Sequence, residues 1–214
     1  MVLNAVTSPS GDILHPAARD MFAVWDATRQ GRSAPCRSEL DLRSIKKILP
    51  HVALIERHPL KLEFSFRLAG TGLRKIFGKE LTGQDFLGIW PRIERPAISN
   101  LASDVIVRHD ACTLRFKGFI SDGRAEMLEL LMLPLLPTRK NATHILATIA
   151  PVAEPYWLGD HPIVRTELIS MRTLGIECSS VESVEEEVTA ESDAPTGQKV
   201  SQTGPFQLIR GGIE

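Results

Sequence analysis

Apolar residues recur along the chain with two different periods, and each change of period marks a new element. Between residues 14 and 30, large apolar side chains recur every three or four positions, which predicts an amphipathic helix. A shorter helix is predicted from Leu42 to Leu49, with Asp41 as its N-cap and Pro50 as the residue that ends it. Residues 1–50 are therefore predicted to form an N-terminal helical segment.

Alternation of apolar and polar residues follows, and this period is typical of half-buried β-strands. Phe64, Phe66 and Leu68 alternate with polar neighbours, so the pattern predicts that these three side chains lie on one face of a strand. Short turns rich in glycine, proline, asparagine or aspartate separate the strand patterns from one another. The pattern predicts five strands, at 51–58, 62–70, 112–120, 126–136 and 143–152.

A helical insert lies between the second and third predicted strands. Gly70-Thr71-Gly72 opens a short helical turn that ends at Gly78, and Pro91 begins a longer helix. Residues 154–176 are assigned as a C-terminal strap, although the pattern also fits a further extended segment. Apolar residues at helical spacing predict the buried stripe of the longer helix, namely Ile93, Ala97, Leu101 and Val105.

Strands joined by hairpins on both sides of a helical insert indicate an α+β fold with one antiparallel sheet. The run from Leu128 to Leu133 is apolar on both faces, which predicts a central strand covered on its outer face by the N-terminal helix or by another subunit. We expect a five-stranded antiparallel sheet with the helices of residues 72–108 on one face and the N-terminal helix on the other. A homodimer is expected at that outer face, because Met21, Phe22 and Trp25 need an apolar partner.

Composition and charge narrow the classes of function. Lys and Arg number 25 against 26 Asp and Glu, and this balance argues against a dedicated binder of nucleic acid or anionic membranes. No apolar stretch approaches the roughly 18 residues of a membrane span, and the N-terminus lacks the pattern of a secretory signal. The cysteines are far apart and form no C-x-x-C pair, so neither disulfides nor a thiolate zinc site are expected. These features predict a soluble cytoplasmic protein.

The C-terminal segment differs in composition from the rest of the chain. Residues 177–214 contain eight acidic and two basic residues and almost no large apolar side chains. Such a segment buries too little apolar surface to offset its ordering entropy, so we expect an acidic disordered tail. Phe206 to Ile209 is an apolar exception that would fold onto a partner. The predicted core of the protein is therefore 51–153, between the N-terminal helical segment and the strap.

Few residues carry a pattern that points to catalysis. Gly70-Thr71-Gly72 lies between a strand and a helix, as phosphate-binding loops do, but it lacks their further glycine and Gly-Lys-Ser/Thr, so we favour a tight structural turn. Glu39 and Asp41 lie near Arg37, where we expect an ion pair or a helix cap rather than acid–base chemistry. The sequence contains no recognisable nucleophile motif, so we do not expect an enzyme.

Two other groups of polar residues suit either a ligand or a solvated surface. His109-Asp110-x-Cys112 lies where the longer helix meets the third strand, whereas four other histidines show no ligand spacing: His51, His58, His144 and His161. Basic residues near the same helix would collect an anion or a cyclic nucleotide, but we favour a polar outer helix face for them. They are Arg92, Arg95, Arg108, Arg115 and Lys117.

The order of two strands, a helical segment and three strands resembles that of a PAS domain. Local strings between about Leu14 and Leu174 resemble the stand-alone PAS proteins common in alphaproteobacteria. One departure is visible, because that family tends toward Asp-Ile-Asp-Pro where this chain has Glu39-Leu40-Asp41-Leu42, so Glu39 replaces the first acid. The strings are Trp25, Pro35-x-Arg37, Asp41, Leu49-Pro50, Phe66-Arg67-Leu68-Ala69-Gly70-Thr71, Phe77-Gly78 and Leu81-Thr82-Gly83.

The resemblance implies a sensory, signalling or protein-interaction module without an output domain of its own, acting as a homodimeric regulator or with another signalling protein. The alternatives are a small-ligand sensor that controls gene expression and an enzyme of unrecognised type. Haem-binding PAS domains take their axial histidine from the equivalent helix, so His109 is a haem candidate. Beside Arg108 and Asp110, however, a solvated or dipole-stabilising histidine is favoured. The resemblance transfers no cofactor residue by residue, so the cofactor is unknown.

PAS domains bind ligands between the inner face of the sheet and the helices, and apolar side chains are predicted to line this space. Such a lining favours a small apolar or aromatic ligand. The same side chains can also fill the space as an ordinary core, and both interpretations stay open at this point. The predicted lining is Phe64, Phe66, Leu68, Phe77, Trp90, Leu101, Val105, Met132 and Ile145.

Overall fold

An antiparallel sheet of six strands lies between two helical layers. The structure, a computed structural model, describes residues 12–41, 43–58, 60–61, 63–136 and 143–175. The strands are β1 Val52–Arg57, β2 Phe64–Ala69, β3 Ala111–Phe119, β4 Ala125–Leu135, β5 Thr143–Pro151 and β6 Arg165–Leu174. They lie in the order β2-β1-β5-β4-β3-β6, and every neighbouring pair is antiparallel. The predicted α+β class with one antiparallel sheet is therefore confirmed.

All five predicted strands are confirmed to within two residues at either end, but the predicted count is wrong. The sixth strand, β6, lies in the segment 154–176 and pairs along the whole of β3. A register shift opposite Arg115 and Phe116 leaves Ile169 without a partner, so the alternation of side chains in β6 is interrupted. An edge strand with such a bulge shows little of the period by which a strand is recognised.

The helices are α1 Pro16–Arg29, α2 Thr71–Phe77 and α3 Arg95–Arg108, with short 3₁₀ helices at Arg37–Glu39, Leu49–His51 and Phe86–Ile89. His15 is the N-cap of α1, because its side chain accepts a hydrogen bond from the Ala17 backbone N–H. Pro16 occupies the first turn, where its missing N–H costs nothing. Gln30 ends the helix in the left-handed conformation, with φ of 51°.

The predicted helix from Leu42 to Leu49 is wrong. Residues 43–48 form turns in which the N–H groups of Ser44, Lys46 and Ile48 donate to the carbonyl three residues earlier. A 3₁₀ helix follows at Leu49–His51. The Asp41 carboxylate accepts the Arg43 N–H at 2.9 Å, which is the bond of a local turn. Pro50 lies inside the 3₁₀ helix rather than ending an α-helix, because proline is tolerated in a first turn.

The predicted start of α3 is also wrong, and its predicted buried stripe is only partly confirmed, because Val105 is buried but Ile93 and Ala97 are not. Residues 91–94 form a turn, and the helix begins at Arg95, four residues later than predicted. Ile93 consequently lies outside the helix and is 89% exposed, and Ala97 is exposed as well. The phase of a buried stripe depends on where its helix begins and packs, so the true stripe is displaced from the predicted one. It consists of Ile98, Ala102, Val105 and Ile106.

The sheet has a buried apolar cluster on each face, and β4 contributes to both. Its side chains Leu130 and Met132 lie in the inner cluster with α2 and α3, whereas Leu131 and Leu133 lie in the outer cluster with α1. On the outer side the Trp25 indole N–H donates to the Pro134 carbonyl at 2.8 Å. The predicted central strand, covered on its outer face by the N-terminal helix, is therefore confirmed.

The described part of the chain contains no helix that is long and apolar enough to cross a membrane. The predicted acidic tail at 177–214, with Cys178 and the apolar stretch 206–209, lies outside the described residues. So does the whole of the predicted turn at 137–141.

Candidate functional site

The predicted lining residues converge on the inner face of the sheet, with one exception. Leu101 packs half-buried against the edge of the inner cluster. Met132 and Ile145, whose facing was ambiguous in the sequence, both point inward. The residues buried in the inner cluster are Phe64, Phe66, Phe77, Trp90, Val105, Met132 and Ile145. Whether any of them binds a ligand stays a prediction.

Leu68 is the exception, and its predicted inward facing is wrong. The pairing of β1 with β2 shifts by one residue, so that Leu54 lies opposite Leu68 while Ile55 lies opposite Phe66. Arg67 is the extra residue of this β-bulge, and one extra residue turns the following side chain to the other face. Leu68 therefore lies on the outer face near the sheet edge and is 47% exposed.

Aromatic rings occupy much of the space between the sheet and the helices. Phe66 meets Phe86 edge-on at 5.6 Å between ring centroids, and Phe86 meets Trp90 in the same way at 6.3 Å. Trp90 then meets Phe116 at 4.8 Å. These four rings come from β2, β3 and the segment 86–90, so they join the helical layer to the sheet. The arrangement is that of a packed core.

Two polar atoms are buried at the edge of this core without a hydrogen-bond partner among the described residues. They are the indole nitrogen Nε1 of Trp90 and the carboxylate oxygen Oε2 of Glu94. The other oxygen of Glu94 accepts the backbone N–H of Leu168 at 3.1 Å, which ties the start of α3 to β6. A buried donor and a buried acceptor without partners are uncommon, and both lie between the 3₁₀ helix Phe86–Ile89 and α3.

A buried carboxylate fixes the start of α1 on the outer face. Glu129 of β4 is fully buried and accepts the backbone N–H groups of Leu14, at 2.9 Å, and His15, at 2.8 Å. Arg115 of β3 lies alongside, with 3.9 Å between its Nε and the nearer carboxylate oxygen. Arg115 also donates to the Asp12 carbonyl at 2.9 Å. Glu129 thus satisfies backbone donors just before α1, where a free buried charge would be costly.

The imidazole rings of His15 and His51 meet beside this anchor, with 5.8 Å between their centroids. Burial, followed by the neighbouring His51, lowers the pKa of His15, whereas Glu129 and Glu154 act to raise it. A neutral His15 is required for its role as N-cap, because its Nδ1 must accept the Ala17 N–H at 3.0 Å. The Nδ1 of His51 is buried and has no hydrogen-bond partner among the described residues.

Two clefts open at the periphery of the sheet. One, of about 300 Å³, is called here the His51 cleft; it lies between the 3₁₀ helix Leu49–His51, α2 and the loop after β5. Its walls include His51, Lys75, Ile76, Pro151, Glu154 and Leu158. The second, of about 400 Å³, lies at the β2 edge and is lined by His58, Glu63, Ser65 and Asp85 among others. Of the predicted lining residues, only Phe64 reaches either cleft.

A comparison of the sequence with models of protein families agrees with this arrangement of sheet and helices. The family model described as a PAS domain matches residues 13–150, which is more than half of the chain. The chain belongs to the PAS domain family. The resemblance seen in its sequence is thereby confirmed, and its alphaproteobacterial type stays a prediction.

Several solved structures are similar to this PAS domain. A light-oxygen-voltage domain studied with a flavin analogue has a TM-score of 0.41 at 15% identity, covering 54% of this chain and 86% of that one. The PAS domain of a protein from Colwellia psychrerythraea has a TM-score of 0.38 at 13% identity, covering 51% and 95%. An RNA-binding light-oxygen-voltage receptor has a TM-score of 0.37 at 21% identity, covering 52% and 33%. No curated protein matches the chain.

The glycines that follow β2 in this PAS domain serve a close contact. A Cβ on Gly70 would lie 2.3 Å from the Leu49 carbonyl oxygen, and one on Gly72 would lie 2.8 Å from that of Pro50. The predicted tight turn that would need glycine dihedrals at Gly70-Thr71-Gly72 is wrong, because Gly70 is the N-cap of α2 and Thr71 and Gly72 begin that helix. Gly70 has φ of −65°, which any residue adopts, so glycine is needed here for space rather than for its conformational freedom.

The acids near the N-terminal helix make an ion pair and caps, as predicted, but with a different base. Glu39 pairs with Arg32 at 2.9 Å rather than with Arg37, and it also accepts the Cys36 N–H at 2.7 Å. The hydrogen bond from Arg32, followed by that from the Cys36 backbone, lowers the pKa of Glu39. Glu39 thus closes the turn after α1 in this PAS domain, and no step of acid–base chemistry follows from it.

The His109 and Cys112 segment of the PAS domain joins the end of α3 to β3. His109 follows the last residue of α3 in the left-handed conformation, with φ of 59°, and so ends that helix. Cys112 is fully buried, and burial, followed by Asp110 and Asp104, raises the pKa of its thiol, which keeps it protonated. Among the described residues, no three His, Cys, Asp or Glu side chains form a group that could hold a metal ion. The haem hypothesis for His109 stays untested.

The predicted basic cluster is divided between the two faces of the sheet. Arg115 lies on the outer face with Glu129, whereas Arg95 belongs to α3 on the inner face and donates to the Trp90 carbonyl at 3.0 Å. Arg108 pairs with Asp110 at 3.5 Å. These residues therefore do not form one anion site, and the polar surface that we favoured is the better interpretation.

Sequence reasoning missed the residues that connect α1 to the sheet. Glu129 stands in an apolar run, and a single acid flanked by leucines is the one signal that could have identified it. His15 immediately precedes Pro16, which is a recognisable N-cap position. Nothing in the sequence indicates that His15 meets His51, because 36 positions separate them and only the packing of α1 brings them together.

Proposed function

We propose that this PAS domain is a signalling and protein-interaction module that works as a homodimer and is not an enzyme. The observation that carries the proposal is the aromatic packing of the inner face, where Phe66, Phe86, Trp90 and Phe116 occupy the space in which a ligand would lie. A PAS domain whose inner space is filled by its own side chains must act through surfaces that other chains touch.

The exposed side of α1 supports a dimer better than its buried side does. Met21 and Trp25, on which the predicted dimer rested, are fully buried against the chain's own sheet. On the opposite side of α1, Ala23 and Ala27 are exposed one helical turn apart. Short side chains allow a second helix to approach closely, and a twofold axis is the commonest way for two copies to associate. We therefore place the proposed dimer contact on this exposed side.

An absorption spectrum and native mass of freshly purified protein test the proposal. The expected result is no absorption above the aromatic band and a mass equal to two bare chains, because the inner face is filled. A visible absorption band, or an added mass that Trp90→Phe removes, would show a ligand in the inner space and contradict the proposal. A complex of two bare chains that separates only on dilution supports it.

A second candidate function is a sensor of a small ligand in the inner space. It is favoured by the buried Nε1 of Trp90 and Oε2 of Glu94, which have no partners among the described residues. A mainly apolar ligand with one acceptor and one donor would satisfy both atoms. Trp90→Phe tests this function, because it removes the indole donor and keeps an aromatic ring. If a ligand is present, native mass spectrometry should find it in the wild type and lose it in this variant.

A further inference from the structure

The His51 cleft carries two opposite charges that do not meet. Lys75 reaches it from α2 and Glu154 from the loop after β5, and both residues are exposed. Within the described part of the chain neither forms an ion pair, so their charged groups are more than 4 Å apart. Opposite charges that face one cleft without contact suit a ligand that carries both signs.

The remainder of the cleft wall is largely apolar. Its apolar residues are Ile76, Pro151, Pro155 and Leu158, of which Ile76 and Pro151 are buried. The volume of about 300 Å³ is at the lower end of the range for small-molecule sites, so the cleft suits a small ligand better than a flavin. A small ligand with an apolar part and two charged ends fits these walls.

We propose that the His51 cleft binds a free amino acid with an apolar side chain. The ammonium group of Lys75 pairs with the α-carboxylate of the ligand, and the carboxylate of Glu154 pairs with its α-ammonium group. The side chain of the ligand lies on the apolar wall formed by Ile76, Pro151 and Leu158. The cleft differs from the inner space of the sheet, because none of the nine predicted lining residues belongs to the cleft.

The position of the cleft gives a bound ligand access to α1. His51 lines the cleft and its ring meets the ring of His15, the N-cap of α1. The backbone N–H of His15 is in turn held by the buried Glu129. Occupation of the cleft thus changes the surroundings of the residue at which α1 begins. This step rests on the proposed function, since α1 carries the proposed dimer contact.

Titration calorimetry with three related probes tests the recognition of both charges. L-leucine carries both charged groups, 4-methylpentanoate lacks its ammonium group, and 3-methylbutylamine lacks its carboxylate, while all three keep the same apolar part. We expect the wild-type protein to bind leucine at least about tenfold more tightly than either truncated probe, because each probe leaves one charge of the cleft without a partner. No detectable binding of leucine, valine or phenylalanine up to about 10 mM would overturn the proposal.

Two variants assign the charges to their residues. Lys75→Met should abolish the tighter binding of leucine relative to 3-methylbutylamine, which lacks the carboxylate. Glu154→Gln should abolish the tighter binding of leucine relative to 4-methylpentanoate, which lacks the ammonium group. Lys79→Met and Glu63→Gln remove exposed charges that do not line this cleft, and they should leave both preferences unchanged. Binding of leucine that neither cleft variant alters would also overturn the proposal, because it would place the ligand elsewhere.

Amide hydrogen exchange separates the failure of this site from the failure of the proposed function. Leucine should change exchange at the backbone N–H groups of residues 14, 15 and 17–19, which lie at the start of α1. If leucine binds with the predicted preferences while α1 exchange and the native dimer mass stay unchanged, the site stands and the proposed signalling role of α1 is wrong. If leucine does not bind and the dimer persists, the site is wrong and the proposed function stands.

Discussion

At the scale of single residues, a few polar side chains determine how α1 joins the sheet. Glu129 is a buried charge whose cost is offset by two backbone N–H groups and by Arg115 nearby. His15 contributes twice, since its backbone N–H donates to Glu129 and its ring caps the helix. These bonds have a direction, unlike apolar packing, so they fix where α1 begins.

Replacing Glu129 tests this anchor. Glu129→Gln keeps the shape of the side chain, but its amide group places N–H donors against the N–H groups of Leu14 or His15. We expect the free energy of unfolding to fall by about 1–3 kcal/mol, as for other buried donors left without an acceptor. Glu167→Gln on the exposed side of β6 is the control and should change it by less than about 0.5 kcal/mol. Equal urea unfolding curves for the two variants would contradict the anchor.

The stability of the protein should depend on pH through His15. Burial and then His51 lower the pKa of His15 from its ordinary value of 6.5, against the opposing effects of Glu129 and Glu154, while Arg19 lowers it slightly. The unfolded chain therefore binds more protons than the folded one just below pH 6.5. The contribution of neutral His15 to the free energy of unfolding is complete above that pH and is lost as the pH falls toward the lowered pKa.

Unfolding curves measured between about pH 7 and pH 5 check this dependence. His15→Asn keeps an N-cap acceptor without a titrating group, so its stability should fall less over this range than that of the wild type. His161→Asn, which replaces an exposed histidine, is measured alongside as the control. An unchanged slope in His15→Asn would assign the pH dependence to other groups.

At the scale of elements, regular periods were predictable and their interruptions were not. The two-sided apolarity of β4 correctly predicted a central strand with helices on both faces. The bulges at Arg67 and Ile169 each add one residue to one strand of a pair, and no local sequence pattern predicts them. For this reason the sequence places Leu68 on the wrong face and does not distinguish β6 from a strap. The positions of His15 and His51 depend on long-range packing, which a single sequence does not reveal.

Substitution on α3 tests whether the inner space is filled. Val105 is fully buried against the inner cluster, whereas Val107, two residues later, is 68% exposed. In a filled core Val105→Trp should lower the free energy of unfolding by about 1–3 kcal/mol through overpacking. Val107→Trp is the matched control and should be nearly neutral. If Val105→Trp is equally neutral and removes a ligand-induced rise in melting temperature, the inner space is vacant, and the hypothesis of a small-ligand sensor replaces that of a filled core.

At the scale of the whole molecule, the apolar surfaces that predicted a partner chain are buried against each other within a single chain. The stripe of Met21, Phe22 and Trp25 and the outer face of β4 bury each other in one chain. The inner face is packed against α2 and α3. Under the proposed function, a signal passes through the surfaces that these layers leave exposed. The exposed side of α1 belongs to the helix that begins at the His15 and Glu129 contacts.

The proposed dimer contact can be tested on that exposed side. Light scattering of the wild type at micromolar concentration should give the mass of two chains, and Ala23→Arg with Ala27→Arg should give one. A twofold axis brings each introduced guanidinium near the same group of the second chain. The like charges then repel each other at the place where the alanines allowed the two helices to pack closely. Both positions are exposed within one chain, so the unfolding free energy of the double variant should stay within about 0.5 kcal/mol of that of the wild type, measured at a dilution at which the wild type is monomeric. Ala97→Arg, at an exposed alanine of α3, is the matched control and should remain dimeric. A wild type of monomer mass, or a double variant that remains dimeric, would remove α1 from the account of association.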